Sequence, residues 1–443
     1  MTEGPPSAEP GPQAEQPTPT NRPTLGQLWW TSLLLGVVGF GGGISVLGIM
    51  ETMAVTKRRW LTEAEFATTA TIAQMLPGGA ASNALASMGL RLQGFRGALI
   101  AYTGFVAPGA VLVTVLAWVY VRFGAVADAG AFLSGLNAAV VGVILAIAVR
   151  MSRTGVKRLW QMGIAGVALL LSLVGGAGSG EVAILGIGLG IAFDLSVKRA
   201  RVLRGRRKWK PSPPVALPEE GTLLRPQALA DKPEKPAEKP PDSTARAFAA
   251  PVVLAALAAA LPEVVQALAE LLSLAAVFFR TGLGAYGGGF AIIPTLHSQV
   301  VVHHLITERQ FADAVAVGKL TPGPVLLMGT FIGYLKEGFA GALVATVAIL
   351  AAPFALVVVL SAWLEKVRAN RWVRAALRGL TPSVVGLMIA AALTLGYSIK
   401  TPVSVAIAAV VALTLLRFDR VNPVALLALG GAARVIYRLA TGL

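Results

Sequence analysis

The sequence predicts an all-α polytopic membrane protein of two inverted homologous repeats, each with about five spans and one Pro-Gly re-entrant hairpin. Three observations predict it. Apolar runs dominate a chain that carries few charges, a pattern of motifs returns after about 245 residues, and the basic loops fall on opposite sides in the two halves.

The first observation is compositional. Of 443 residues, 55% are hydrophobic and 14% charged, with a mean hydropathy of +0.70. Soluble domains average about a quarter charged residues. Several runs reach the roughly 20 residues a helix needs to cross the hydrocarbon. Gly and Ala fill them, as expected where helices associate by close backbone approach. The absence of cysteine excludes disulfides, thiolate metal sites and Cys nucleophiles. A net charge of +16 raises nucleic acid as a partner, but the basic residues cluster in short loops, where they orient helices. No nucleic-acid partner is expected; membrane lipid is.

Apolar segments fall near 28–50, 66–92, 97–121, 131–150, 159–176 and 181–197, and again near 247–268, 272–296, 311–335, 340–363, 376–397, 401–416 and 422–439. The predicted organisation is a disordered Pro/Gly-rich tail (1–27), a first repeat (28–197), a basic and Pro-rich cytoplasmic linker (198–246), a short apolar helix that lies on the interface or spans (247–271), and a second repeat (272–443). The tail lacks an apolar signal core, so the first span is expected to act as its own insertion signal.

The repeat is the second observation. Gly39-Phe-Gly-Gly-Gly43 matches Ala285-Tyr-Gly-Gly-Gly289, and Leu61-Thr-Glu-Ala-Glu-Phe66 matches Ile306-Thr-Glu-Arg-Gln-Phe311. Pro77-Gly78 matches Pro322-Gly323, 245 positions later. Gly94, Pro108, Trp118 and Gly135 find partners in Gly338, Pro353, Trp363 and Gly379. Charged and proline positions align as well as apolar ones, which chance similarity between Ala/Gly-rich helices does not produce.

The basic loops are the third. Lys198 through Lys210 place the linker in the cytoplasm, and counting back puts Arg150, Arg153, Lys157 and Arg158 inside. The loop at 364–374, with Lys366, Arg368, Arg371 and Arg374, is also expected inside, whereas its counterpart at 122–130 is outside. The halves are therefore inverted, an arrangement common in secondary transporters. The segments at 66–92 and 311–335 each carry Pro-Gly in the middle. They are read as re-entrant hairpins because a full crossing would put Lys57, Arg58 and Arg59 outside; the alternative is thirteen full spans.

The candidate chemistry sits at the paired signatures Leu76-Pro77-Gly78-Gly79 and Thr321-Pro322-Gly323-Pro324. Proline removes a donor and frees a carbonyl, and glycine permits unusual dihedrals. Broken backbone at membrane depth is tolerated only where it is buried or lines a cavity. Each break creates a new helix N-terminus, whose free amides suit an oxyanion. Ser82 and Asn83 would add hydroxyl and amide donors. Lys319, three residues before Pro322, lies in an apolar segment, and its repeat partner is Gln74. A charge there marks a functional site, as an anion ligand or a proton acceptor, unless Asp313 neutralises it. The glycine runs Gly41, Gly42, Gly43 and Gly287, Gly288, Gly289 break the first helix of each half, for close packing or to offer amides. His297, His303 and His304 lack a metal-binding spacing and read as interfacial. Neither a cofactor, nor a metal, nor an enzymatic constellation is expected.

At these residues the chain resembles the long, two-domain chromate ion transporter (CHR) family. The resemblance covers about 25–197 and 272–440, and its closest stretches are TGLGAYGGGFAIIPTL at 281–296, LITERQF at 305–311 and TPGPVLLMGTFIGYL at 321–335. It implies gradient-driven export of chromate, a small tetrahedral dianion, across a multi-pass cell membrane, the bacterial inner membrane being expected. Sulfate or another anion, a passive anion channel, protons as coupling ion and a homodimeric assembly remain open alternatives at this point.

Overall fold

A computed structural model describes residues 22–39, 43–123, 127–174, 176–204, 250–367, 370–418 and 421–442. Most of the tail (1–21), Gly41, Gly42 and most of the linker (205–249) lie outside the described residues. Two units are distinguished, one of Met1–Asp194 with Glu270–Leu443, the other of Leu195–Ala269. The first unit holds the first repeat as far as Asp194 and the second repeat from Glu270 onward.

The first repeat contains α1 (Leu25–Val38), α2 (Gly43–Glu51) with a π-helical turn (Thr52–Lys57), α3 (Glu63–Met75), α4 (Ala80–Phe123), α5 (Ala127–Gly155), α6 (Leu159–Leu173) and α7 (Ser179–Arg204). The second contains α8 (Ala250–Leu283), α9 (Ile293–Val300), α10 (Glu308–Leu320), α11 (Met328–Val367), α12 (Arg371–Gly396), α13 (Pro402–Arg417) and α14 (Pro423–Thr441), with short 3-10 turns at Gly287–Gly289 and Val325–Leu327. Every element described is helical, and each helix of one half has its counterpart in the other. The sequence reading separated a short helix at 247–271 from the span after it. Instead α8 runs through both, and its membrane-length part is the 22 residues Pro262–Leu283.

Among the described residues seven helical segments are long and apolar enough to cross a membrane, and three shorter apolar helices, α1, α6 and α13, accompany them. They divide into five per half: α1, α4, α5, α6 and α7, then α8, α11, α12, α13 and α14. Five is odd, the number that two oppositely oriented halves require. The protein is a polytopic membrane protein of two inverted repeats.

The hairpins are re-entrant. α3 and α10 open with the same capping box, Thr62 with Glu65 and Thr307 with Gln310, in which the threonine hydroxyl takes the third amide and the third side chain takes the threonine amide. That is the physical content of the repeated Leu/Ile-Thr-Glu-x-Glu/Gln sequence. The returning arm is the start of α4, and it reverses at Gln93-Gly94, where Gly94 has φ +63°. The same reversal occurs at Glu337-Gly338 in α11, with φ +57° at Gly338. Beyond the turn the chain folds back closely enough that Gly89 packs on the carbonyl of Gly97 and Gly333 on that of Gly341. Arg91, near the end of the returning arm, lies 3.2 Å from Glu65 at the start of the outgoing arm. Both ends of the first hairpin therefore share one side, which decides against thirteen full spans.

Glycine contacts interlock the halves. Gly142 and Gly135 of α5 pack on the backbone of Ala408 in α13 and Gly430 in α14. Gly386 and Gly379 of α12 repeat this on Ala165 in α6 and Gly186 in α7. Without a hydrophobic force between helices in lipid, such backbone approach supplies the dispersion that associates them.

Candidate functional site

Each hairpin tip is built by local backbone chemistry. α3 ends at Met75, Leu76 is extended, and Gly78 adopts φ +116° before helix resumes at Ala80. α10 ends at Leu320, Thr321 is extended, and Gly323 adopts φ +108° before the short turn that leads into α11. Positive φ at matching positions explains the repeated glycine. Asn83, fully buried, braces the first tip: its Nδ2 donates to the carbonyls of Ala73, Leu76 and Pro77 at 3.2, 3.4 and 2.9 Å. These are carbonyls that the break releases from helical bonding.

The tips converge on each other and on the long helices. A Cβ at Gly79 would stand 3.2 Å from Pro324, so the two Pro-Gly breaks meet. A Cβ at Gly78 would stand 2.7 Å from Pro353 of α11, and Gly109 of α4 packs on the carbonyl of Pro322. Each tip thus seats on the proline-containing stretch of the opposite half, since Pro108 and Pro353 are repeat partners. The Gly78 amide donates to the carbonyl of Ala285 at 2.8 Å, which ties the first tip to the second glycine run. In that run Gly287 and Gly289 have φ +66° and +90° and press against Val384 and Leu326, while Gly288 completes the turn. The run is both unwound and closely packed. Of the first run, Gly43 begins α2.

The side-chain donors expected from sequence are largely engaged within the hairpins. The Ser82 hydroxyl donates to Gly79 at 2.9 Å and the Thr321 hydroxyl to Val317 at 3.0 Å, alongside the Asn83 brace. What remains to receive an anion is the backbone amides of the two interrupted helices and Lys319. Lys319 is only 8% exposed, and its ammonium lies 4.4 Å over the ring of Phe290, directly after the second glycine run. Among the described residues no ion pair involves it. Gln74, its repeat partner, is exposed and donates to Ala70 at 3.1 Å. The two tips are alike in backbone and unlike in charge.

Asp313 does not neutralise Lys319. Its two oxygens accept from Asn137 of α5 at 2.8 Å and Tyr120 of α4 at 3.0 Å, with Arg309 at 4.0 Å. Sequence reasoning noticed Asp313 but missed Tyr120 and Asn137; polar residues within apolar runs were the available signal. It also missed Asn83 as a brace. His297 is paired with Glu308 at 2.8 Å.

Chemically, a buried ammonium without an ion-pair partner, on the helix that leads into a broken tip, is anion-receptive, because a buried charge without a partner is costly and an anion offsets that cost.

Comparison with known proteins identifies the family. The profile of the family described as Chromate transporter matches residues 26–193 and 272–435, one stretch in each half. A chromate transport protein of Cupriavidus metallidurans is 30% identical over 399 residues, covering 89% of this chain and 88% of that protein. A probable chromate transport protein of Synechococcus elongatus is 31% identical over 376 residues, covering 84% and 85%. A chromate transport protein of Pseudomonas aeruginosa is 29% identical over 375 residues, covering 84% and 80%. No solved structure matches. With both repeats matched and relatives aligned along most of their length, this chain belongs to the chromate transporter family.

Proposed function

We propose that the protein is a secondary transporter that exports chromate across the cell membrane, driven by an ion gradient rather than by ATP. The observation that carries this reading is the meeting of the two Pro-Gly tips, with Lys319 three residues before Pro322 and its ammonium, over the Phe290 ring, without an acidic partner among the described residues. A tetrahedral dianion has four acceptor oxygens, enough to take amides from two broken helices and the ammonium together. In this proposal Gly79, Gly323 and the first turns beyond them supply backbone donors, Gly78 ties the first tip to Ala285, Pro77, Pro322 and Pro324 hold the breaks open, and Lys319 supplies charge. The relatives' names support chromate as the anion.

Sulfate has the same charge and shape, and amides with one ammonium do not distinguish the two, so sulfate is the competing substrate. Flux of labelled chromate and sulfate into vesicles containing the purified protein, with and without an imposed proton gradient, tests the reading. Gradient-dependent chromate movement supports it. Gradient-independent flux identifies a channel instead, and movement of sulfate alone reassigns the substrate.

A further inference from the structure

Among the described residues two charged side chains are buried, Lys319 and Asp313, and the proposed function uses only the first. They stand six residues apart on α10, roughly 9 Å along its axis. Asp313 is 1% exposed and bridges three helices from both halves, through Asn137 of α5 and Tyr120 of α4. A carboxylate held for structure alone at membrane depth is normally paired with a buried cation. Here the neighbouring cation is Arg309, one turn earlier at 4.0 Å, with 67% of its side chain exposed.

The charged groups of α9 and α14, which also pack on α10, are engaged elsewhere. His297 of α9 is bonded to Glu308. α11 presents Phe331 to the Tyr120 ring at 5.2 Å. On α14 the Arg434 guanidinium lies over Tyr437, and Arg438 pairs with Asp128 at 2.7 Å.

The partners of Asp313 suit two protonation states. A tyrosine hydroxyl donates to a carboxylate and, rotated, accepts from a carboxylic acid. The Oδ1 of Asn137 is buried without a hydrogen-bond partner, so a further acceptor stands open in the same cluster. The repeat supplies a contrast. The positions matching Asp313, Tyr120 and Asn137 are Thr68, Glu365 and Thr381. There the acid is exposed and paired with Arg91, so a buried acid occupies this place in the second hairpin alone.

We propose that Asp313 is the proton-binding site through which the transport cycle draws on a proton gradient. One proton taken from the aqueous side converts the carboxylate to the acid. The bonds from Tyr120 and Asn137 then lose their charge assistance, which makes such bonds about twice as strong as neutral ones. α10 is released from α4 and α5, and the proton leaves to the opposite side when the contact re-forms. The proposal rests on the reading of the chain as a gradient-driven anion transporter.

The test uses the full chain in proteoliposomes with a trapped pH dye and labelled chromate, measuring chromate exchange without a gradient and chromate movement driven by a pH jump. Asp313→Asn keeps the shape and imitates the protonated acid: its Oδ1 accepts from Asn137 and its Nδ2 donates to the Tyr120 hydroxyl oxygen. It is expected to retain exchange within about twofold while losing pH-driven movement by about tenfold or more. Tyr120→Phe is expected to shift the pH midpoint of driven movement while keeping exchange. Full pH-driven movement in Asp313→Asn overturns the proposal. So does joint loss of exchange and driven movement in a variant that melts like wild type, since that marks a role in binding. Wild type that exchanges chromate without responding to pH overturns the proton site and leaves chromate transport standing. If wild type moves no chromate, the function reading fails first, and the dye assay with sulfate still reads Asp313: no proton movement with either anion overturns it.

Discussion

Gly78 and Pro353 stand so close that a Cβ on the glycine would lie 2.7 Å from the proline ring, with Asn83 Oδ1 equally near. The tip of the first hairpin is therefore moulded on the long helix of the other half, and the contact leaves no room for a side chain. Gly78→Val adds strain at φ +116° as well as overlap. The two together amount to about 2–5 kcal/mol. Chromate flux in vesicles is expected to fall by at least about tenfold. Gly94→Ala is the control, because Gly94 also has positive φ but nothing lies within 4 Å of its Cβ position. Its cost is confined to about 1–2 kcal/mol of backbone strain, and flux should persist. Equal loss in both variants would show that backbone strain, and not the seat on Pro353, limits transport.

Asn83 makes a separate prediction about stability. Asn83→Ala leaves the carbonyls of Ala73, Leu76 and Pro77 without the side-chain donor they share. An unsatisfied buried group costs about 1–3 kcal/mol. The midpoint of thermal unfolding in detergent should drop measurably. An unchanged midpoint would mean that the returning arm holds its place without this brace.

By contrast, Arg91→Ala should change the same midpoint little. Its pairs with Glu65 and Glu365 are 3.2 and 3.1 Å long, but each partner is at least 30% exposed. Exposed pairs contribute about 0–1 kcal/mol and weaken with salt. A drop as large as that of Asn83→Ala would show that this cluster is less solvated than its exposure indicates.

The contrast between these residues shows what the sequence made legible. The repeated Thr-Glu and Pro-Gly signatures specify local backbone, so the capping boxes and both positive-φ tips follow from residues within a few positions of each other. The inversion was legible because charge in short loops reports sidedness. The seat of Gly78 on Pro353 was not, since it joins positions far apart in the chain, and the repeat alignment reveals that Pro108 and Pro353 correspond without saying what they touch. The Asn83 brace was hidden for another reason. A polar residue in the first turn after a break reads equally as a ligand or as a partner for the carbonyls the break sets free, and only the geometry chooses.

Lys319 carries the charge asymmetry, and its repeat partner names the substitution. Lys319→Gln places the first half's residue at the second tip. If the ammonium binds the anion, chromate flux should fall by about tenfold or more, with protein level and unfolding midpoint retained. Lys319→Arg should keep part of the flux, because the charge survives while the head group changes shape. Unchanged flux in Lys319→Gln would remove the residue from the substrate site.

The inverted arrangement can be tested without removing any native residue, because the chain contains no cysteine. Ala64, exposed at the start of α3, marks the mouth of the first hairpin, and Val302, 60% exposed just beyond α9, marks that of the second. Five crossings per half put these mouths on opposite faces, and the basic residues Lys57, Arg58 and Arg59 assign the first to the cytoplasm. A membrane-impermeant maleimide added to intact cells should therefore label Val302→Cys directly and Ala64→Cys only after permeabilisation. Labelling of both from one face would require an even number of crossings between them. That would return one Pro-Gly segment to a full span and separate the two tips whose meeting defines the site.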